Sequence, residues 1–280
     1  TTPERLKKFQ AKTPMPNYPS RPEYAGLLEE LDESVGTIAA TVDRLGLGAN
    51  TMIVFVSDNG GLHREQGGTI TTSNAPLRAE KGTLYEGGIR VPCIVRWPGV
   101  AVAGATSAAI GATVDFYPAF LELAQAAAPA AQVLDGVSLL PVLRQPAAAL
   151  ARESLFWHLP HYHHSTPAGA LRQGDWKLLE FFEDGALELY RLSDDLGEST
   201  NLAARFPERT QAMHAALKAW RKEVQAQIPQ QNPAYDPARA DEFWSRKTVT
   251  VTRAPGSGRD ADAATATAAI APTSTGATSH

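Results

Sequence analysis

The sequence predicts an α/β sheet domain followed by a small α+β domain. Apolar residues at helical spacing run over Pro22–Leu45, and a short apolar, β-branched run follows at Met52–Val56. A helix that leads into a buried strand is the repeating unit of an open sheet with flanking helices. Farther along, short strand-length runs are closed by one helix. We therefore expect the sheet domain over 1–150 and the small domain over 151–228.

The first helix and the strands after it have clear limits in the sequence. Gly46 and Gly48 are expected to end the helix, because glycine readily takes the left-handed conformation found at helix ends. The runs Met52–Val56 and Val91–Val95 are apolar throughout, which predicts strands buried on both faces. Cys93 lies in the second run and is the single cysteine, so we expect a packed thiol and no internal disulfide. The helical apolar positions are Leu27, Leu28, Leu31, Val35, Ile38, Val42 and Leu45.

The small domain is predicted from four strand candidates and one helix. Glu183-Asp184-Gly185 between the last two candidates is a strong hairpin signal. Residues 229–280 lose the apolar pattern and become rich in Ala, Thr, Ser and Gly, so we predict a disordered, low-complexity tail. The strand candidates are Ser154–Leu159, Ala170–Gln173, Trp176–Phe182 and Leu187–Leu192. The helix has Met213, Leu217, Trp220 and Val224 on its core face.

The composition excludes two kinds of partner. The 280 residues carry a formal net charge of −4, which does not fit the basic surface of a nucleic-acid-binding protein. No apolar run approaches the length of a membrane span. Hydrophobic residues make up 43% and charged residues 20%, which is typical of a globular protein with its own core. We therefore predict neither a nucleic-acid partner nor a membrane span.

Asp58 and Asn59 come directly after the first predicted strand. In open α/β sheets, ligand-binding groups gather just past the carboxyl ends of strands. A carboxylate beside an amide oxygen suits a hard cation such as Ca²⁺ or Mg²⁺, and Gly60 and Gly61 let the backbone turn away. The same residues are also ordinary turn chemistry. This short motif alone leaves a metal site and a plain turn both open.

A second motif surrounds Lys81. It reads PLRAEKGTLYEGGIRVP and places the lysine between Pro76 and the pair Gly87-Gly88. A compact ammonium group close to a metal site suits an anionic, tetrahedral substrate. The alternative is an ordinary surface lysine. Glu86 and the two glycines are interpreted as architecture, because glycines allow a tight backbone path into the next strand.

Together these segments resemble the sulfatase family of the alkaline-phosphatase-like superfamily. The resemblance includes SDNGG after an apolar strand, PLRAEKGTLYEGGIRVP followed by WPG, the helix YAGLLEELDESVGTIAATVDRLGL and the later segment LRQGDWKLLEF. It runs from about Pro22 to Ile228, roughly three quarters of the chain. It implies an alkaline-phosphatase-like sheet with flanking helices, and the small C-terminal subdomain that sulfatases carry.

The resemblance also implies roles for single residues. In sulfatases the Asp-Asn pair after this strand gives two oxygen ligands to Ca²⁺, and the lysine of the K-G-T-x-x-E-G-G segment contacts the sulfate. Asp58 and Asn59 are thus the expected metal ligands, and Lys81 is the expected catalytic and substrate-binding residue. The expected activity is sulfuric-ester hydrolysis of a sulfated carbohydrate. The resemblance favours a periplasmic or secreted compartment.

One feature of the family is missing from the sequence. Sulfatases use a Cys or Ser in a Cys/Ser-x-Pro-x-Arg motif that is converted to formylglycine, and no such motif occurs here, since Cys93 is followed by Ile-Val-Arg. The aspartate pair that completes the calcium shell is also missing. We therefore expect the C-terminal part of a sulfatase with an incomplete sheet. Alone it should neither turn over sulfate esters nor hold calcium tightly, because Ca²⁺ takes roughly six to eight ligands.

Histidines form a third group of candidates. His63 follows Asn59 closely and is expected either to face the substrate or to lie on the loop. The tract FWHLPHYHHST contains four histidines, His158, His161, His163 and His164. Because the resemblance places this tract at the border of the substrate cleft, one of the candidates His161, His163 and His164 is expected to contact the sugar. Metal binding by the tract and a surface loop without a role are the alternatives.

Two other functions stay open at this point. A phosphoesterase or phosphonate hydrolase of the same superfamily would share the metal scaffold. A non-catalytic protein, either a decayed sulfatase or a sugar-binding protein, would carry a broken nucleophile motif upstream. Intact Asp58, Asn59 and Lys81 favour the enzyme, because a decaying site would be free to change them.

Overall fold

The computed structural model describes residues 1–13, 21–63, 65–66 and 69–239. The chain divides into two compact units, one built from 1–74 and 89–155, and the other from 75–88 together with the residues from Phe156 onward. The tail predicted to be disordered lies outside the described residues beyond position 239. Among the described residues, no helix is long and apolar enough to cross a membrane.

The secondary structure consists of short strands and mostly short helices. The α-helices are α1 (Pro3–Gln10), α2 (Pro22–Arg44), α3 (Glu86–Ile89), α4 (Phe116–Leu123), α5 (Leu140–Arg144) and α6 (Pro207–Glu223). The strands are β1 (Ile53–Val56), β2 (Glu65–Gln66), β3 (Thr69–Ile70), β4 (Cys93–Arg96), β5 (Ser154–Leu159), β6 (Ala168–Gln173), β7 (Trp176–Phe181) and β8 (Leu187–Arg191). Short 3-10 turns lie at Gly48–Asn50, Thr113–Asp115 and Pro237–Arg239.

In the first unit, α2 confirms the predicted long helix. Gly46 has a φ of +71°, and the backbone N–H of Leu47 donates to Val42 O at 3.0 Å, which closes the last turn. After the helix, β1 pairs antiparallel with β4, with Ile53 opposite Arg96. The predicted helix and strand are therefore both present in the predicted order.

The expectation that these strands are buried on both faces is wrong for the described structure. β1 is half-buried along its length, and in β4 both Cys93 and Ile94 are exposed, Ile94 to 62%. Among the described residues this sheet has two strands, so each strand has one neighbour and keeps contact with solvent. The predicted core face of α2 is open in the same way, with Leu27, Leu28, Leu31 and Ile38 all exposed.

Asp115 is a buried anchor of the first unit. Its two carboxylate oxygens accept from the backbone N–H of Ala112 at 2.6 Å and of Val137 at 2.9 Å. Arg152 donates to the same oxygens at 2.6 and 2.8 Å and also to Ile110 O at 2.6 Å. The carboxylate therefore ties three chain segments together at the start of α4. The apolar core beside it contains Ala119, Leu139, Leu140 and Val142.

Asp115→Asn is expected to lower the free energy of unfolding of the first unit by about 2 kcal/mol. The amide removes one charged acceptor and turns a donor toward the buried guanidinium of Arg152. Hydrogen exchange of the α4 amides in increasing urea measures the change. Asp32→Asn, on the exposed surface of α2, is the matched control and should leave the exchange unchanged. If the α4 amides exchange at the same rate in both variants, Asp115 does not anchor the start of α4.

In the second unit, β5, β6, β7 and β8 form one sheet in that order. β6 pairs antiparallel with β7, and β7 with β8, and Gly185 at the predicted hairpin has a φ of +72°. The sheet, with β6, β7 and β8 antiparallel, and the helix α6 confirm this part of the predicted fold. Val224, expected on the core face of the helix, is instead 44% exposed, because α6 ends at Glu223.

The core of the second unit lies between the sheet and α6. Leu171, Leu178 and Leu189 of the sheet pack with Met213 and Leu217 of the helix, and all five are buried. Phe156 stacks on Trp220 with ring centroids 4.8 Å apart. Strand residues alternate between two faces, so Lys177, Leu179 and Phe181 of β7 point to the opposite side of the sheet from α6. That side receives the segment 75–88.

Candidate active site

The loop after β1 begins with Asp58, which is exposed, and Asn59, which is half-buried. Ser57 Oγ donates to Asn59 O at 2.9 Å, and the backbone N–H of Asn59 donates to Asp58 Oδ1 at 3.0 Å. The Asn59 side-chain nitrogen donates to Gly60 O at 3.0 Å. Because this bond fixes the orientation of the amide, its oxygen is the atom that remains for a cation.

The next residues hold the loop in place. Asn74 Oδ1 accepts from Gly61 N–H at 2.9 Å, while Asn74 Nδ2 donates to Gly61 O at 2.8 Å. His63 Nδ1 lies 2.9 Å from Thr72 O. A carbonyl oxygen only accepts, so Nδ1 carries the proton and Nε2 of the neutral ring is an acceptor. The Asp58–Asn59 turn therefore starts a loop with two polar cross-links.

Asp58 and Asn59 offer two hard oxygen donors at this turn. Within the described part of the chain, no three His, Cys, Asp or Glu side chains are arranged as metal ligands. An amide oxygen and a carboxylate oxygen on adjacent residues still fit the ligand preference of Ca²⁺.

Lys81 lies at the tip of a tight turn in the second unit. Thr83 N–H donates to Glu80 O at 3.2 Å, and Gly82 has a φ of +81°, as the third position of a type II turn requires. Thr83 Oγ1 also donates to Glu80 O at 2.8 Å. Glu80 and Thr83 are buried, whereas Lys81 is exposed. The turn thus has a buried base and presents its lysine to solvent.

Two histidines of the predicted tract contact this turn. His164 is 8% exposed, and its Nδ1 lies 3.4 Å from Glu80 Oε1. The His163 ring lies against Gly82, where a Cβ atom would come within 1.9 Å of Nδ1. The rings of His163 and His164 are 4.3 Å apart. His161 and His163 are exposed and His158 is half-buried, so one of the four histidines of the tract, His164, is buried.

In the same unit, a buried lysine forms ion pairs with two buried glutamates. Lys177 Nζ lies 2.9 Å from Glu86 Oε1 and 2.8 Å from Glu198 Oε1. Glu198 Oε2 accepts from the backbone N–H of Glu86 at 2.6 Å, and Arg172 Nη1 lies 3.6 Å from Glu86 Oε2. Burial raises the pKa of Glu198, while Lys177 opposes that change. The group fastens the end of the Lys81 segment to the sheet.

A second buried cluster fastens the start of the segment. Arg78 Nη1 donates to Tyr190 Oη at 3.0 Å and to Glu198 O at 2.6 Å, and its guanidinium lies 4.1 Å from the centroid of the Tyr85 ring. Glu188 Oε2 accepts from the hydroxyls of Tyr85 and Tyr190, both at 2.7 Å. Burial and the Glu188 carboxylate raise the pKa of both tyrosines. Both therefore stay protonated as donors at neutral pH.

The structure thus groups the predicted site residues within each unit. Asp58, Asn59 and His63 share the loop after β1, whereas Lys81 lies with His163 and His164 in the second unit. Sequence reasoning missed the supporting residues Lys177, Glu188 and Glu198. The available signal was Lys177, a charged residue that shares one alternating face of its strand with the apolar residues Leu179 and Phe181.

Comparison with protein families decides what this arrangement belongs to. The sulfatase family model matches residues 2–126, and the model of the N-sulphoglucosamine sulphohydrolase C-terminal region matches residues 79–227. The second match covers more than half of the 280 residues. The chain belongs to the sulfatase family. This assignment confirms the predicted family, and both motif regions lie inside the matched residues.

Several curated sulfatases are similar to this chain. A sulfatase of Formosa agariphila is 37% identical over 230 residues, which are 75% of this chain and 40% of that protein. The steryl-sulfatase of Mus musculus is 38% identical over 142 residues, with 50% of this chain and 23% of that protein covered. The N-acetylgalactosamine-6-sulfatase of Rattus norvegicus is 38% identical over 128 residues, with 45% and 24% covered. The chain therefore spans less than half the length of each of these relatives.

Solved sulfatase structures have the same fold. BT4656, solved with its substrate D-glucosamine-2-N,6-O-disulfate, has a TM-score of 0.61 and 28% identity over 74% of this chain and 41% of that chain. Ps i-CgsB, solved with k-i-k-neocarrahexaose, has a TM-score of 0.65 and 26% identity over 79% of this chain and 46% of that chain. These structures confirm the predicted alkaline-phosphatase-like fold class with a smaller antiparallel part.

Proposed function

We propose that this sulfatase chain contributes two calcium ligands and a sulfate contact to the hydrolysis of a sulfated carbohydrate. The observation that carries the proposal is the Lys81 turn, which has a buried base and an exposed lysine inside a sulfatase-family motif. A side chain placed in this way can reach an anion without a change in the backbone of the turn. The sulfatase assignment supports a sulfate ester as that anion.

Lys81 is the proposed catalytic residue of this chain. Ester cleavage puts negative charge on the sulfuryl oxygens and on the departing alkoxide, and a fixed cation lowers the energy of that charge. The ammonium of Lys81 is a compact charge that needs no bidentate geometry. We assign it to one sulfate oxygen, where it binds the substrate and stabilises the transition state.

Asp58 and Asn59 are the proposed calcium ligands. Their adjacent carboxylate and amide oxygens suit a hard divalent cation, and the bond from Asn59 Nδ2 to Gly60 O directs the amide oxygen away from the backbone. When bound, Ca²⁺ supplies positive charge that stabilises the sulfate group in the transition state. The further ligands that Ca²⁺ needs would come from residues other than these two.

The nucleophile is proposed to be a formylglycine that the printed sequence does not contain. No Cys/Ser-x-Pro-x-Arg motif occurs in the 280 residues, so we expect no turnover from this chain by itself. A formylglycine hydrate supplies an oxygen nucleophile to the sulfur. This chain's residues would bind and orient the ester for it.

Histidines are the proposed contacts to the sugar. His63 has an unprotonated Nε2 in its neutral form, which can accept from a sugar hydroxyl. His161 and His163 are exposed, and the His163 ring lies against the Lys81 turn. Both keep their proposed role. A carbohydrate is favoured because BT4656 and Ps i-CgsB were solved with sugars, and another relative is an N-acetylgalactosamine-6-sulfatase, although one is a steryl-sulfatase.

Hydrolysis of sulfated sugars by the complete translation product of this gene tests the proposal. We expect release of sulfate from a 6-O-sulfated amino sugar, loss of activity in EGTA and its return with Ca²⁺. Asp58→Ala and Asn59→Ala should each lower kcat/KM by roughly 10²-fold, whereas Asp32→Ala on the surface of α2 should not.

Three results would contradict the proposal. Hydrolysis of phosphate esters in preference to sulfate esters would favour the phosphoesterase alternative. Sugar binding without turnover by the complete product would favour the non-catalytic alternative. Sulfate release by the isolated 280-residue chain would show that the nucleophile lies within it.

A further inference from the structure

The Lys81 turn is contacted from both sides by neighbouring histidines. Its first residue, Glu80, faces His164, and its third residue, Gly82, faces His163. These contacts lie within the second unit and join two segments far apart in the sequence. Lys81 lies between the two contacts and is itself exposed. The arrangement therefore fixes the backbone on each side of the lysine.

The contact at Gly82 is steric. The His163 ring fills the space that a side chain at position 82 would occupy, since a Cβ there would come within 1.9 Å of Nδ1. The φ of +81° independently favours glycine at this position. His163 N–H donates to Ser165 O at 3.1 Å, which restrains the loop that carries the ring. The His163 ring therefore restricts movement of the turn at Gly82.

The contact at Glu80 is polar. Glu80 is fully buried and His164 is 8% exposed, and 3.4 Å separates Glu80 Oε1 from His164 Nδ1. A buried carboxylate is costly unless a donor or a positive charge faces it. His164 brings a ring nitrogen close to this carboxylate and so helps to hold the buried base of the turn in place. Since the two rings lie 4.3 Å apart, the steric and polar contacts act as one pair.

We propose that His163 and His164 are positioning residues that hold the Lys81 turn closed and so set the direction of the lysine. His164 stays a predicted sugar contact, and its burial against Glu80 gives it the positioning role in addition. The value of this positioning for catalysis rests on the proposed sulfate contact of Lys81. The restraint of the turn by the two histidines does not depend on the sulfate contact.

Hydrogen exchange at the amide of Thr83 tests the holding, because this N–H closes the turn onto Glu80 O. In the complete translation product, His164→Ala should speed exchange at Thr83 by about tenfold while the amides of β7 stay protected. His163→Ala should have a smaller effect in the same direction. His164→Asn should restore most of the protection, because the Asn amide keeps a polar nitrogen beside the Glu80 carboxylate.

The exposed neighbour His161 provides the matched control, and His161→Ala should leave Thr83 unchanged. Unchanged exchange at Thr83 in His164→Ala would overturn the proposal. So would equal acceleration at Thr83 and in β7, because that would indicate general loss of stability. A second measurement, the kcat/KM for sulfate-ester hydrolysis, should fall in His164→Ala and return in His164→Asn. If the exchange at Thr83 changes as expected but kcat/KM does not, the two histidines restrain the turn but Lys81 does not contact the sulfate.

Discussion

Lys177→Met is expected to lower the free energy of unfolding of the second unit by about 3–5 kcal/mol. Lys177 is fully buried, and its ammonium faces Glu86 and Glu198 at 2.9 and 2.8 Å. Removal of the cation leaves two buried carboxylates with less compensation than they need. Because methionine has nearly the same side-chain volume as lysine, the loss of unfolding free energy comes from the missing charge and not from a cavity. Urea denaturation at neutral pH, monitored by hydrogen exchange of the β7 amides, measures it.

The loss of unfolding free energy in Lys177→Met should be larger at neutral pH than at acidic pH. Burial already raises the pKa of Glu198 above its ordinary value of 4.5, and Lys177 opposes the rise. A carboxyl whose pKa is raised by folding contributes stability below its unfolded pKa and loses that contribution as the pH rises through its folded pKa. Without Lys177 the folded pKa rises further. The deficit of the variant should therefore be largest at neutral pH and should shrink as the pH falls toward 4.5.

Two further variants separate charge from other causes. Lys218→Met, on the exposed surface of α6, should leave stability unchanged. The double variant Lys177→Met with Glu198→Gln should recover part of the loss, because one buried charge is removed with its partner. A deficit that is the same from pH 5 to 8, or one that the double variant deepens, would contradict the role given to this ion group.

The order and type of the main elements could be predicted from the sequence. The helix α2, the strand β1 after it, the hairpin at Gly185 and the helix α6 depend on local periodicity and turn chemistry, which a single segment contains. Burial was harder to predict. An apolar run such as Val91–Val95 indicates a strand that can be buried. Whether it is buried depends on the segments that cover it, which the run itself does not determine.

The residues of the candidate site likewise include some that could be predicted from the sequence and others that could not. Asp58, Asn59 and Lys81 could be chosen as candidates because their motifs are contiguous and resemble a known family. The partners of the Lys81 segment could not, because Lys177 and Glu198 meet Glu86 only after the chain has folded the sheet against it. The pairing of His164 with Glu80 joins positions that are likewise far apart in sequence. A lysine inside the apolar pattern of β7 signals a buried partner without identifying it.

Lys81→Ala is expected to lower the kcat/KM for sulfate-ester hydrolysis by roughly 10²- to 10³-fold in the complete translation product. In the proposed role, the variant loses a charge that would face the sulfate oxygens, and the loss would be larger in the transition state than in the bound substrate. Its thermal stability should stay the same, because the Lys81 side chain is exposed and the turn is built from Glu80, Gly82 and Thr83. Steady-state kinetics and a melting curve measure the two quantities.

Comparison with Lys81→Arg tests the geometry as well as the charge. Arginine keeps the charge but is longer and planar, so it should recover only part of the lost activity if a compact ammonium contact at one oxygen is needed. Lys218→Ala serves as the matched control, because that lysine is exposed in the same unit and lies outside the motif. If Lys81→Ala and Lys218→Ala have the same kcat/KM, Lys81 is a surface lysine. If Lys81→Ala unfolds the protein, its role is structural, because an exposed side chain that only contacts substrate contributes nothing to the fold.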